Sequence, residues 1–255
     1  EILGVDFVNE YMPGATGAVA WTRLAKQSPN DGTTISITNT PMLMTNYIMN
    51  DAITYKTDEL TPIANVVTDP GIVVVSADSP YQTIEDLFEA AEQSPGTVTI
   101  GNSGVGGDDF FTTILLEQAK GLSTAAMGGK IDASFNNVGN VYGQVESGNL
   151  RALAVFAEKR LTSLPDVPTM KEKGVDVVAG SSRGYSAPAG IPEEARQQLI
   201  EAFETLAKDP DFQAQAEKRA MNLDVVTGDD YRAMIDQMEA DYRGIWDSIK
   251  DEVGR

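Results

Sequence analysis

The sequence predicts an α/β fold with largely parallel sheets, divided into two domains. Three observations lead there. Short β-prone runs alternate with helical patterns along most of the 255 residues, the arrangement of a βαβ chain. That length accommodates two medium domains. A glycine-rich strand–turn–helix occupies residues 97–120. Crossings between the domains are expected near Gly96 and Gly184. Residues 1–97 with 184–255 then build a discontinuous first lobe. Residues 98–183 build an inserted second lobe, with a cleft at the join.

Each element has its own signal. Residues 1–8 end in Val5, Phe7 and Val8 and suit a strand. Residues 18–27 place Val19, Trp21, Leu24 and Ala25 at helical spacing. Residues 33–38 alternate into a strand that Asn39-Thr40-Pro41 ends. Asn39 and Thr40 follow its carboxyl end, where open α/β sheets bind ligands; an ordinary Asx/Thr turn is the other reading. The methionines of residues 42–49 read as adaptable packing. Residues 60–67 and 72–75 are separate short β runs. Thr83-Ile84-Glu85-Asp86 is a capping box that opens a helix reaching Gln93.

In the glycine-rich stretch, residues 97–101 lead into Asn102-Ser103-Gly104-Val105-Gly106-Gly107-Asp108. Phe110, Phe111, Ile114 and Leu115 then continue as a helix closed by Gly121. Glycine lets backbone approach a ligand, and the first N–H groups of a helix have no intrahelical partner. With Asn102 and Ser103 at the rim, such a turn holds an anion without a cationic side chain. No Lys-Ser/Thr follows the glycines, and they do not spell G-x-G-x-x-G. A tight turn capped by Asp108 accounts for the same residues. Further on, residues 124–130 suit the end of a helix, and residues 131–135 a strand ending in Asn136-Asn137. Residues 141–148 suit a helix; 153–156, 175–178 and 185–187 suit strands. Amphipathic helices are expected over 193–208, 212–219 and 229–250.

Composition narrows the function. The formal net charge is −19, with no cysteine and no histidine. So acidic a chain is unsuited to nucleic acid or an anionic membrane surface. Thiol nucleophiles, disulfides, Cys/His zinc sites and Ser–His–Asp triads are excluded. Carboxylate or Ser–Lys chemistry stays open, but spacing singles out no pair of acids, and no catalytic residue, metal or cofactor is named. No run approaches the roughly 18 apolar residues of a membrane span. No signal peptide is visible at Glu1.

Seven short stretches carry a family likeness over nearly the whole chain. They are Pro13-Gly14-Ala15 with Gly17, Asp31-Gly32, Leu60-Thr61-Pro62-Ile63-Ala64, and Gly101-Asn102-Ser103-Gly104-Val105-Gly106. Then come Ser147-Gly148-Asn149-Leu150-Arg151-Ala152-Leu153-Ala154-Val155, Leu164-Pro165-Asp166-Val167-Pro168-Thr169, and Ala187-Pro188-Ala189-Gly190 with Pro192. In this order and spacing the chain resembles the solute-binding proteins of tripartite tricarboxylate transporters, the Bug family. The resemblance implies a two-lobed, type II periplasmic-binding-protein-like fold with the ligand in a cleft between lobes. It implies a monomeric periplasmic protein that captures a small di- or tricarboxylate and delivers it to the membrane permease subunits. An amino acid or aromatic carboxylate as ligand, or a sensor input for a two-component system, are the alternatives.

The resemblance also bears on single residues. Asn136 and Asn137 match a polar step that faces the cleft in relatives, where their amides would donate to a carboxylate; a strand-end turn accounts for them as well. Asp108 stands where many relatives have a small hydroxyl residue. It pairs with a ligand ammonium, caps its helix, or is neutralised by Arg183; capping is the reading that local propensity favours. Arg183 is expected to grip a ligand carboxylate through two of its guanidinium nitrogens; a surface arginine in a hinge strand is the other reading. Relatives carry a strand and loop before the counterpart of Glu1, and another strand and loop between the counterparts of Ser123 and Thr124. Both segments are expected to exist outside the given sequence. Because the acidic surface opposes an anionic ligand, affinity is expected to rise with moderate salt.

Overall fold

A computed structural model describes residues 2–102, 106–126 and 131–253. In chain order its elements are α1 (Ala18–Lys26), β1 (Ser36–Thr40), α2 (Met42–Met49), β2 (Leu60–Ser76), α3 (Ile84–Gln93), β3 (Thr99–Gly101), α4 (Asp108–Lys120) and β4 (Ala125–Ala126). They continue as β5 (Ala133–Asn137), α5 (Val138–Glu146), β6 (Leu150–Val155), β7 (Gly180–Pro188), α6 (Glu193–Ala207), α7 (Pro210–Lys218), β8 (Leu223–Thr227) and α8 (Gly228–Val253). The chain forms two compact units. Unit 1 is Glu1–Thr68 with Ser182–Arg255, and unit 2 is Asp69–Ser181.

The chain changes unit between residues 68 and 69, where the sequence placed the change at 97/98. The reason is β2, a single strand of 17 residues that leaves unit 1 and enters unit 2 without a turn. Pro70-Gly71, which separates two β runs in the sequence, is carried inside it. Proline has no N–H to pair, and the Gly71 N–H donates to the Ala179 carbonyl at 2.8 Å. Because the strand runs on through Pro70-Gly71, the sequence shows a break between β runs there but no sign of a change of unit.

In unit 1, β1 pairs antiparallel with β7, with Ile37 opposite Tyr185, Asn39 opposite Arg183 and Thr40 opposite Ser182. β7 neighbours β2, and the first half of β2 pairs antiparallel with β8. Ile63, Ala64, Val66, Val67 and Ala187 of this sheet are buried with Leu199 and Ile200 of α6. A second packing centre sets Trp21 and Tyr47 each edge to face with Tyr55. Met44 of the methionine-rich helix α2 is fully buried, consistent with packing. Residues 5–8 form no strand, and Val8 is 88% exposed.

In unit 2, the second half of β2 pairs antiparallel with β5 and β6, while β3 runs parallel to β4 and β5. The sheets are therefore mixed rather than largely parallel, since strand direction leaves no mark in a single sequence. Val73 and Val75 enter one core with Phe135, Phe156 and Met170; Ile72 and Val74 enter another with Val138 and Val155. Burial on both faces explains the unbroken apolar run of residues 72–75. The capping box at α3 is formed: Thr83 accepts from the Asp86 N–H, and Asp86 accepts from the Gln82 and Thr83 N–H groups. Those two donors hold the Asp86 carboxyl below its ordinary pKa. Ile84, Leu87, Phe88 and Ala91 turn inward.

Two further expectations are corrected. Ala125–Ala126 is strand rather than helix, drawn into parallel register with Thr99 and Ile100. Residues 175–178 are irregular, although Val175 and Val177 are buried. Their alternation reports burial of one side of the chain, with no ladder partner.

Candidate functional site

In unit 1, Asn39 and Thr40 end β1, and Pro41 is the N-cap of α2. The Met44 and Thr45 N–H groups both donate to the Pro41 carbonyl at 2.9 Å. The earlier amides of a helix have no intrahelical acceptor and carry about half a positive charge. Thr40 is 1% exposed, and its hydroxyl has no hydrogen-bond partner. The Asn39 Oδ1 is likewise buried and unpartnered. A buried polar atom without a partner costs free energy, so such atoms call for an explanation. Across the ladder, Arg183 is half-buried opposite Asn39, and Ser182 is buried opposite Thr40. The Ser182 hydroxyl lies 3.0 Å from the Thr68 hydroxyl, which donates to Asp224 Oδ2 at 2.6 Å. The structure thus brings Asn39, Thr40 and Arg183 to one end of one pair of strands.

Unit 2 gathers a second set. Asn102 follows β3, Gly106 has φ +93, and Gly107 is the N-cap of α4. Ser103, Gly104 and Val105 lie outside the described residues. The sequence reading of Asp108 as helix cap is corrected: Asp108 is the first helical residue, and Gly107 caps without a side-chain bond. The Asp108 carboxylate, 6% exposed, accepts from Asn137 Nδ2 at 2.6 Å. That bond ties the start of α4 to the end of β5. Asn137 Nδ2 also donates to the Asp69 carbonyl at 3.2 Å. The Asp69 carboxylate accepts from the Gly139 N–H at 3.0 Å, at the start of α5. Asn136 Nδ2 donates to Ser134 Oγ at 2.7 Å. Asp69, Thr68 and Asp224 were not legible as site neighbours. Their partners are distant in sequence, so no local pattern marks them.

Among the described residues, no group of three His, Cys, Asp or Glu side chains is placed to hold a metal ion, and no helix is long and apolar enough to cross a membrane. Unit 1 by itself offers a hydroxyl, the N-terminus of α2 and the Arg183 guanidinium, and unit 2 by itself the N-terminus of α4 behind a glycine turn, groups that suit holding an anion.

Comparison with known proteins gives the same class. The family described as "Tripartite tricarboxylate transporter family receptor" (TctC) matches residues 1–250. A UPF0065 protein of Agrobacterium vitis is 30% identical over 223 residues, covering 82% of this chain and 64% of that protein. The chain therefore spans under two thirds of that relative's length. Among solved structures, the periplasmic binding protein BugD is similar with a TM-score of 0.78 at 24% identity, covering 97% of this chain and 88% of that one. R. palustris Rpa4515 with adipate is similar with a TM-score of 0.81 at 22% identity, covering 92% and 83%. These two likenesses establish the periplasmic-binding-protein fold. The match across residues 1–250 establishes more: the chain belongs to the TctC family, the solute-binding receptors of tripartite tricarboxylate transporters, which are not enzymes.

Proposed function

We propose that this protein captures a small organic carboxylate, a di- or tricarboxylate, outside the cytoplasm and hands it, as a monomer, to the permease subunits of a tripartite tricarboxylate transporter. The observation that carries the reading is the buried, unpartnered Thr40 hydroxyl at the start of α2. A carboxylate there accepts from the hydroxyl and from the first amides of α2, with the helix dipole favouring its charge. Arg183, opposite Asn39, supplies a charge-assisted partner. Asn102, Gly106, Gly107 and Asn136, with Ser103, Gly104 and Val105, are the contacts proposed for unit 2. The adipate in the R. palustris protein is a dicarboxylate of the class proposed here. The reading includes a further strand and loop between Ser123 and Thr124 in the native polypeptide, which its intact mass would reveal.

Two substitutions test the unit 1 contacts. Thr40→Val removes an unpartnered hydroxyl, so the ligand-free protein is expected to lose no stability and to gain up to about 1 kcal/mol. Its affinity for the carboxylate is expected to fall about tenfold. Arg183→Ala removes a charged partner worth about 1.5–3 kcal/mol, a loss of roughly 10- to 100-fold. Calorimetric titration reads both. Unchanged affinity in both variants removes Thr40 and Arg183 from the site.

A further inference from the structure

Asn137 is 7% exposed, and one of its terminal atoms faces two oxygens, the Asp69 carbonyl at 3.2 Å and Asp108 Oδ2 at 2.6 Å. A backbone carbonyl never donates. The atom between them is therefore the amide nitrogen, and both its hydrogens are committed inside unit 2. The frame around it is fixed as well, because the Gly139 N–H holds the Asp69 carboxylate. A Cβ on residue 139 would stand 2.8 Å from Asp69 Oδ2, so glycine there permits the approach. The carboxylate to which the Asn137 amide donates is thus that of Asp108, and not the ligand carboxylate that the sequence led one to expect. What Asn137 has left for a ligand is its carbonyl oxygen, an acceptor. The same polarity recurs in unit 1, where the Asn39 Oδ1 is buried without a donor.

We infer that Asn137, held by Asp69 and Asp108, is a specificity-determining residue that favours a carboxylate carrying a hydroxyl or ammonium donor over the plain acid of the same length. The inference rests on the reading of the chain as a carboxylate receptor with Asn137 at the ligand. A site built around a hydrogen-bonding group discriminates strongly against the analogue that leaves that group unpaired.

The test uses acid pairs that differ by one donor: malate against succinate, glutamate against glutarate, and citrate against tricarballylate. Each is titrated calorimetrically into the wild-type protein and into Asn137→Ala. The wild type is expected to bind the donor-bearing member of at least one pair about tenfold more tightly or better. In Asn137→Ala that ratio is expected to fall to within about threefold, one neutral hydrogen bond's worth. A wild type that prefers the plain acids, or does not discriminate, overturns the inference even if the variant fails to fold. A preference that survives in Asn137→Ala also overturns it, while leaving the receptor reading intact. A wild type that binds no acid in any pair overturns both.

Discussion

Gly184→Ala is expected to abolish the folded state of unit 1. A Cβ at this position would lie 2.6 Å from the Ala64 carbonyl oxygen, with the Tyr231 hydroxyl closer still. Ala64 sits inside β2, paired in register with Thr227, so its carbonyl has nowhere to retreat. Tyr231 is fully buried at the start of α8, and its hydroxyl lies 3.2 Å from the Thr38 hydroxyl. Burial pushes the Tyr231 phenol above its ordinary pKa, so it stays neutral. Ordinary overpacking costs about 1–3 kcal/mol because side chains shift. Here one obstacle is backbone and the other a locked aromatic ring, so the cost is expected to rival the roughly 5–15 kcal/mol that stabilises a domain. Pairing Gly184→Ala with Tyr231→Phe removes the hydroxyl but leaves the ring's Cζ 2.8 Å from the new Cβ, and is expected to recover only part of the loss. Circular dichroism and the soluble yield read the outcome. A Gly184→Ala protein with wild-type denaturation would contradict this account of the β2–β7 contact.

The second large effect is in unit 2. Phe156→Ala is expected to cost about 3–5 kcal/mol in urea denaturation. The ring is fully buried, 5.5 Å from the Phe135 ring between centroids, and 3.1 Å from where a Cβ on Gly71 would stand. The Phe156 backbone is fixed too: its N–H donates to the Gly71 carbonyl and its carbonyl accepts from the Ala179 N–H. A backbone so tethered cannot collapse into the cavity, which places the cost near the top of the range. A loss below about 1 kcal/mol would mean that β2 and β5 close over the void.

Much of this was legible in the sequence because it is local. The capping box of Thr83 and Asp86, the helices α6 to α8 and the strand–turn–helix entering α4 rest on spacings within a few residues. What stayed hidden is non-local. Strand direction, the long β2 and the pairing of Ala125 with Thr99 are set by partners elsewhere in the chain. The candidate site divides the same way. The end of β1 at Thr40 and the glycine turn at Gly106 are sequence features. The polarity of Asn137 follows only from the distant Asp69 and Asp108.

The central claim is that the protein binds a small carboxylate. The measurement that tests it most directly is a thermal-shift screen of the intact native protein, stripped of ligand. It would cover citrate, succinate, malate, adipate, glutamate, benzoate-type acids and neutral sugars. A ligand at a hundred times its dissociation constant adds about 2.7 kcal/mol of stability, a shift of several degrees for a chain of this size. The account predicts stabilisation by one class of carboxylate, lost in part in Arg183→Ala, and none by the sugars. Stabilisation by a neutral sugar, or by no acid at all, would contradict it.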